Sequence, residues 1–293
     1  MKLLIFGGTQ FLGRNITELA LARGHELTLF HRGKTGADLF PEATHILGDR
    51  DGQLDRIGAG RIGTERFDAV LDISGYIPRL VRDGARYVQP LTDHYLFIST
   101  ISVYDKTDAS FVDEDSALLT PPAGDVESVT GETYGGLKVA CETAVRESFP
   151  QATIVRPGLV GGPHDHTKRF DRWIKTAMSE KEFSIPARAE QSIQLVDVRD
   201  LANLTLDLAE RKVNGTFNAT GVESNWGELA AALQTLSGGS VTVTGEPDET
   251  APMVIAGSDV LFRCRHARAT QYGFSPRTIA EMVADGPNWP QNR

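Results

Sequence analysis

The first 155 residues alternate short apolar runs with helix-spaced patterns, and that alternation most narrows the folds open to the chain. Leu3-Leu4-Ile5-Phe6 is apolar at every position and stops at Gly7-Gly8, which predicts a strand buried on both faces. Between Phe11 and Arg23 the apolar residues Leu12, Ile16, Leu19 and Ala20 recur at helical spacing, and Gly24 follows as the cap. Further strands are predicted at Glu26–Phe30, His45–Leu47, Asp68–Ile73, His94–Ser99 and Ala152–Arg156, with a long helix over roughly 132–148. Strands interleaved with helices imply right-handed crossovers and an α/β fold, a Rossmann-type doubly wound parallel sheet. Such sheets bind ligands beyond the carboxyl ends of their strands, where strand order reverses.

After Pro157 the texture changes. A polar loop covers 158–169, then a helix is expected over 170–178 and a short strand over 191–196. Asp197 reads as the N-cap of a helix running to about 210, with Asp200 in its first turn. Gly215–Asn218 would return a strand to the main sheet, and helices are expected near 225–236 and 276–285.

Composition bounds the partners. Lys and Arg number 30 against 39 Asp and Glu, a net charge of −9, which argues against capture of nucleic acid or of an anionic membrane surface. No run approaches the roughly 20 apolar residues of a membrane span, and the apolar N-terminal run is too short for a signal segment. The two cysteines, Cys141 and Cys264, lie far apart in no Cys-x-x-Cys pattern, so neither a disulfide framework nor a cysteine metal site is expected. The expectation is a cytoplasmic chain with no nucleic-acid or membrane partner. His164-Asp165-His166 lacks further ligands at metal spacing and predicts no metal.

Gly7-Gly8-Thr9-Gln10-Phe11-Leu12-Gly13 joins the first strand to the first helix. Glycines there permit a tight turn and close backbone approach to a pyrophosphate resting on the helix N-terminus. A plain strand-to-helix turn is the alternative. The second strand ends in Phe30-His31-Arg32-Gly33-Lys34, without the carboxylate that binds a ribose 2′-hydroxyl in NAD proteins. Arg32, joined by Arg14, suits a 2′-phosphate, so NADP is preferred over NAD; a solvated basic loop is the plainer reading. Tyr134 and Lys138 are spaced i, i+4, so both project from one helix face, a spacing that is unspecific by itself. A nearby ammonium would bring the phenol down from its reference pKa near 10 toward the working range.

The glycine turn resembles the TGxxGFxG turn of extended short-chain dehydrogenases/reductases, the NAD-dependent epimerase/dehydratase family. Gln10 stands where that pattern has its second glycine, a form similar to an atypical branch that includes chloroplast stem-loop RNA-binding proteins. Phe97-Ile98-Ser99-Thr100-Ile101-Ser102-Val103-Tyr104 resembles the family's FxSSxxVYG strand end. The resemblance implies a triad: Thr100 orients a substrate carbonyl or hydroxyl, Tyr134 exchanges the proton, and Lys138 tunes it and holds the nicotinamide ribose. It further implies cofactor contacts from Gly7, Thr9, Gln10, Phe11, Leu12 and Gly13. Asp49 and Arg50 resemble the Asp-plus-hydrophobe element at adenine, Ser74 and Gly75 the passing backbone, and Ser99, Pro157 and Gly158 the strand ends along the cofactor. Tyr76, His164, Asp165 and His166 are substrate-side candidates. Family members often dimerise through the Tyr/Lys helix, which makes a homodimer an expectation.

These signals divide the chain into a dinucleotide-binding domain, 1–157 plus about 191–220, and a small α+β substrate lobe, 158–190 plus 221–293. The expected function is an NAD(P)-dependent oxidoreductase moving hydride between nicotinamide and a carbonyl or alcohol carbon. Alternatives are a nucleotide-sugar epimerase or dehydratase with retained NAD, and a non-catalytic dinucleotide-sensing or RNA-binding protein.

Overall fold

Along the first strand, Leu3 and Ile5 point into one apolar cluster and Leu4 and Phe6 into another, so both faces of the sheet are covered. The computed structural model describes residues 1–58, 66–105, 111–248, 250–251, 253 and 263–290. The chain begins β1 (Lys2–Phe6), α1 (Phe11–Ala22), β2 (Glu26–His31), β3 (Thr44–Leu47), β4 (Ala69–Asp72), α2 (Pro78–Val88) and β5 (Tyr95–Ile98). It continues with α3 (Tyr134–Ser148), β6 (Thr153–Pro157), β7 (Leu159–Gly161), α4 (Asp171–Ser179), β8 (Glu182–Ile185), β9 (Ser192–Asp197) and α5 (Val198–Glu210). The remainder is β10 (Gly215–Ala219), β11 (Glu223–Asn225), α6 (Trp226–Ser237), β12 (Ser240–Val243), α7 (Ala267–Thr270) and α8 (Ile279–Asp285).

Seven strands form one parallel sheet in the order β10-β6-β5-β4-β1-β2-β3. This is the expected doubly wound α/β architecture. Phe6 is in register with Phe30 on one side and with Asp72 on the other, so order reverses at β1 and a crevice opens there. Helices α1 and α5 cover one face, linked by Arg23 to Asp207 at 2.7 Å and to Glu210 at 3.0 Å. Helices α2 and α3 cover the other. Asp197 caps α5 by accepting from the Arg199 backbone, as its sequence position predicts.

The sequence reading leaves 76–91 unassigned, and the structure places α2 there. Pro78 opens it, where a missing N–H costs nothing, and Val81, Ala85 and Val88 are its buried stripe. Beyond the main sheet, β11-β9-β7 form a three-stranded sheet and β12-β8 a parallel pair. Around them α4, α6 and α8 enclose a separate cluster with Trp173, Trp226 and Met282. No described helix is long and apolar enough to cross a membrane.

Candidate active site

The glycine turn is built by steric necessity. A Cβ on Gly13 would lie 2.8 Å from the Gly8 nitrogen, and Gly8 itself has φ of +101°. Thr17 Oγ1 lies 2.9 Å from both the Gly8 and Gly13 carbonyls and pins the turn to α1. Gln10 is extended, at φ −139° and ψ 140°, so a side chain replaces the usual glycine without strain. The positive φ falls instead on Phe11, at 42°. Asn15 donates to the Phe11 carbonyl at 2.9 Å and to the Pro163 carbonyl at 3.1 Å, tying the turn to the loop after β7.

From this turn a cleft of about 530 Å³ runs along the carboxyl ends of β1, β2, β4, β5 and β6. It gathers Gly7, Thr9, Gln10, Phe11, Leu12, Gly13, Arg32, Asp49, Arg50, Ser74, Tyr76, Ser99, Thr100, Tyr134, Lys138, Pro157, Gly158 and His166, nearly every candidate the sequence singles out. Its lining carries the cations Arg32, Lys34, Arg50 and Lys138 against one carboxylate, Asp49. A −9 chain thus presents a locally positive groove.

Arg32 and Lys34 are exposed at the mouth, and Arg32 makes no ion pair among the described residues. The turn that bears them is held by two histidines. The Gly33 N–H donates to His31 Nδ1 at 3.1 Å, so His31 Nε2 carries the proton and donates to His45 Nδ1 at 2.9 Å. His45 Nε2 then donates to the Phe40 carbonyl at 3.0 Å. Burial, reinforced by His45, lowers the His31 pKa.

Arg50 is largely committed. It forms a bidentate pair with fully buried Asp72 at 3.0 and 2.9 Å, donates to the Leu80 carbonyl and sits 5.1 Å above the Phe6 ring. Asp72 also accepts from Tyr95 at 2.8 Å, and its pKa is lowered: burial opposes this, but Arg50 and the hydrogen bonds prevail. Ser74 donates to the Phe6 carbonyl at 3.2 Å, which keeps that loop against β1.

At the far end stand Thr100, Tyr134 and Lys138. Lys138 is buried and donates to the Gly75 and Ile98 carbonyls, each at 2.7 Å, and lies 4.2 Å over the Phe97 ring. Burial lowers its pKa to about 8, against the pull of Cys141, Asp72 and Glu142. The phenol departs from the sequence expectation. Burial, with Tyr76 alongside, pushes Tyr134 up to about 12, and the Thr100 hydrogen bond offsets only part of this. The ammonium is turned to backbone carbonyls, so in the chain by itself it does not bring the phenol down. Tyr76 brackets the same space, its ring 6.4 Å from that of Tyr134.

Four candidates, Arg14, Gly75, His164 and Asp165, are not part of the cleft wall. Arg14 bonds Glu18 at 2.8 Å on its own helix. His164 lies buried, 3.5 Å from Glu18, and Asp165 accepts from the Thr167 backbone at 2.8 Å and its hydroxyl at 2.7 Å. Only His166 of that loop reaches the cleft, edge-on to Phe11 at 6.1 Å. Gly75 contributes its carbonyl to Lys138 from behind the wall. The sequence reading missed Lys34, Ile77 and Leu80, which join the cleft wall beside the turn of β2 and at the start of α2. Among the described residues no cluster of three metal-ligating side chains occurs, and both cysteines are buried and in no disulfide.

Residues 80–220 match the model of the NAD dependent epimerase/dehydratase family. The chloroplast stem-loop binding protein of 41 kDa b from Arabidopsis thaliana is 26% identical over 235 residues, 75% of this chain and 58% of that protein. The probable low-salt glycan biosynthesis reductase Agl14 of Haloferax volcanii is 28% identical over 42% of the chain and 39% of that protein. The chain therefore spans well under two thirds of the length of either relative. Among solved structures, a putative epimerase from Burkholderia cenocepacia superposes with a TM-score of 0.74 at 20% identity, covering 98% of both chains. The UDP-N-acetylglucosamine 4-epimerase of Bacillus cereus gives 0.73 at 17% identity, with the same coverage. Residues 80–220 thus resemble the NAD dependent epimerase/dehydratase family, and the fold around them is shared with these solved epimerases.

Proposed function

We propose that the chain is an NADP-preferring oxidoreductase that moves hydride between nicotinamide and a carbonyl or alcohol carbon. The observation that carries this reading is one cleft holding a sterically enforced glycine cradle at one end and Thr100, Tyr134 and Lys138 at the other. The cradle fits a dinucleotide, because any side chain at Gly13 would strike the Gly8 backbone. The N-terminus of α1 with Gly7–Gly13 would hold the pyrophosphate, Asp49 and the Arg50 side flank adenine, and Arg32 and Lys34 meet a 2′-phosphate. The bound nicotinamide supplies hydride acceptance or donation.

Thr100 orients the substrate oxygen, and Tyr134 holds or delivers the proton at its phenolic oxygen. Lys138 supplies the positive charge that favours the phenolate as that proton leaves. A phenol pushed up to about 12 is a proton donor, which suits carbonyl reduction. The activity therefore needs Lys138 charged, and kcat/KM is expected to fall on the alkaline side as that lysine deprotonates near pH 8.

Tyr134→Phe tests the assignment. Turnover should drop by about 10²–10⁴-fold, while NADPH affinity stays within about twofold because the ring remains. Wild-type turnover in that variant would remove Tyr134 from the chemistry. A second reading is favoured by the UDP-glucuronic acid 4-epimerase of Bacillus cereus, solved with UDP-glucuronic acid and NAD, which superposes at a TM-score of 0.72. In that reading hydride leaves and returns within one cycle, so cofactor co-purifies and added NADPH is not consumed. RNA binding, suggested by the chloroplast relative's name, is opposed by the −9 charge.

A further inference from the structure

Behind the cleft lies a buried polar assembly that the proposed chemistry does not use. Glu142 sits four residues after Lys138 on α3, on the same helix face. Its Oε1 accepts from the Ser99 hydroxyl at 2.6 Å and from Arg156 Nε at 2.9 Å, and its Oε2 accepts from Arg156 Nη2 at 2.6 Å. Arg156 donates onward to the Tyr104 oxygen at 2.9 Å, and Tyr104 donates to Asn218 Oδ1 at 2.6 Å. The side chains of Glu142 and Arg156 are only 6% and 5% exposed.

A buried ion pair is weak evidence of stabilisation, because an apolar pair of similar volume does as well. Its placement is informative instead. Ser99 precedes Thr100, Arg156 precedes Pro157 and Gly158, and Glu142 is one turn beyond Lys138. Three segments that line the reacting end of the cleft are thus joined at one carboxylate.

Among the described residues the hydrogen-bond acceptors of Lys138 are the neutral carbonyls of Gly75 and Ile98. The titratable and charged groups packed toward it are Asp72 from β4, Arg50 from the loop after β3, Cys141 and Glu142 from α3, and Tyr76 and Tyr134. Both carboxylates are themselves paired, Asp72 with Arg50 and Tyr95 and Glu142 with Arg156 and Ser99, and burial pushes the Cys141 thiol up to about 12. We propose that Glu142 is a positioning residue of the site, fixing the ends of β5 and β6 through Ser99 and Arg156 and, together with Asp72, supplying negative charge that keeps Lys138 an ammonium. This inference rests on the proposed role of Lys138 in the proton transfer.

The test is a ¹³Cε-lysine NMR titration of the cofactor-free chain, with Lys138 assigned by the signal lost in Lys138→Met. In Glu142→Gln the shape is kept, the negative charge goes and Arg156 is left unmatched. The Lys138 midpoint should fall by about one pH unit or more, and the alkaline limb of kcat/KM should move with it. An unchanged midpoint in folded Glu142→Gln overturns the electrostatic role, whether or not the cleft catalyses the proposed reaction. Ser99→Ala separates the two roles and covers the case in which Glu142→Gln fails to fold. It removes one hydrogen bond and no charge, so the midpoint should stay while kcat falls about tenfold. Wild-type kcat in Ser99→Ala overturns the positioning role.

Discussion

Gly13 and Arg32 set the two ends of what single residues contribute to the cleft. At Gly13 the constraint is steric: a methyl group would press on the Gly8 backbone, which cannot rotate away as a side chain would. Gly13→Ala is expected to cost about 1–3 kcal/mol in denaturant unfolding and to abolish NADPH binding in the variant that still folds. Retained affinity would mean the cradle is not where the cofactor sits. At Arg32 the constraint is electrostatic. Its exposed guanidinium has no carboxylate partner among the described residues. Both positions are legible in the sequence, as a glycine at a βα turn and an arginine after the second strand. The Tyr134 pKa is not legible in this way. It depends on how far the cleft wall desolvates the phenol and on where the Lys138 hydrogen bonds go, and neither follows from an i, i+4 spacing.

Among elements, the turn after β2 shows local structure serving a site at a distance. His31 and His45 lie on paired strands, and their hydrogen-bond relay works only with both rings neutral. A proton on His31 would place an N–H against the Gly33 N–H and break the contact that shapes the Arg32 turn. The His31 pKa is lowered in the folded chain, so the stability it contributes is complete above the unfolded value of 6.5 and is lost as pH falls through the lower folded value. NADPH affinity should therefore weaken on acidification below 6.5 more steeply in the wild type than in His31→Gln, which cannot take up that proton. Parallel pH profiles of the dissociation constant would contradict this. The strands themselves were readable from apolar runs, since a sheet buried on both faces leaves little ambiguity. The polar α2 carries a helix signal too, with Val81, Ala85 and Val88 at helical spacing among Arg79, Arg82, Asp83 and Arg86, which the sequence reading leaves unassigned.

At the scale of the whole molecule, the parallel sheet and the lobe around Trp226 have separate apolar clusters. Trp226 is fully buried at the start of α6 and meets the Trp173 ring edge-on at 6.1 Å. Trp226→Ala should cost about 3–5 kcal/mol by denaturant unfolding, and an effect below 1 kcal/mol would mean the cluster is not tightly packed. The lobe was only coarsely legible: α6 and α8 follow from helical periodicity, whereas the parallel pairing of β8 with β12 joins segments far apart in sequence. The cleft, by contrast, lies at the carboxyl ends of the parallel strands, where the sequence reading expects a ligand. Its occupant is the central claim, and a fluorescence titration of the full chain with NADPH and NADH, repeated on Arg32→Ala, tests it most directly. Saturable one-to-one binding, tighter for NADPH and losing that preference in Arg32→Ala, is the expected result; no saturable binding of either dinucleotide would contradict it.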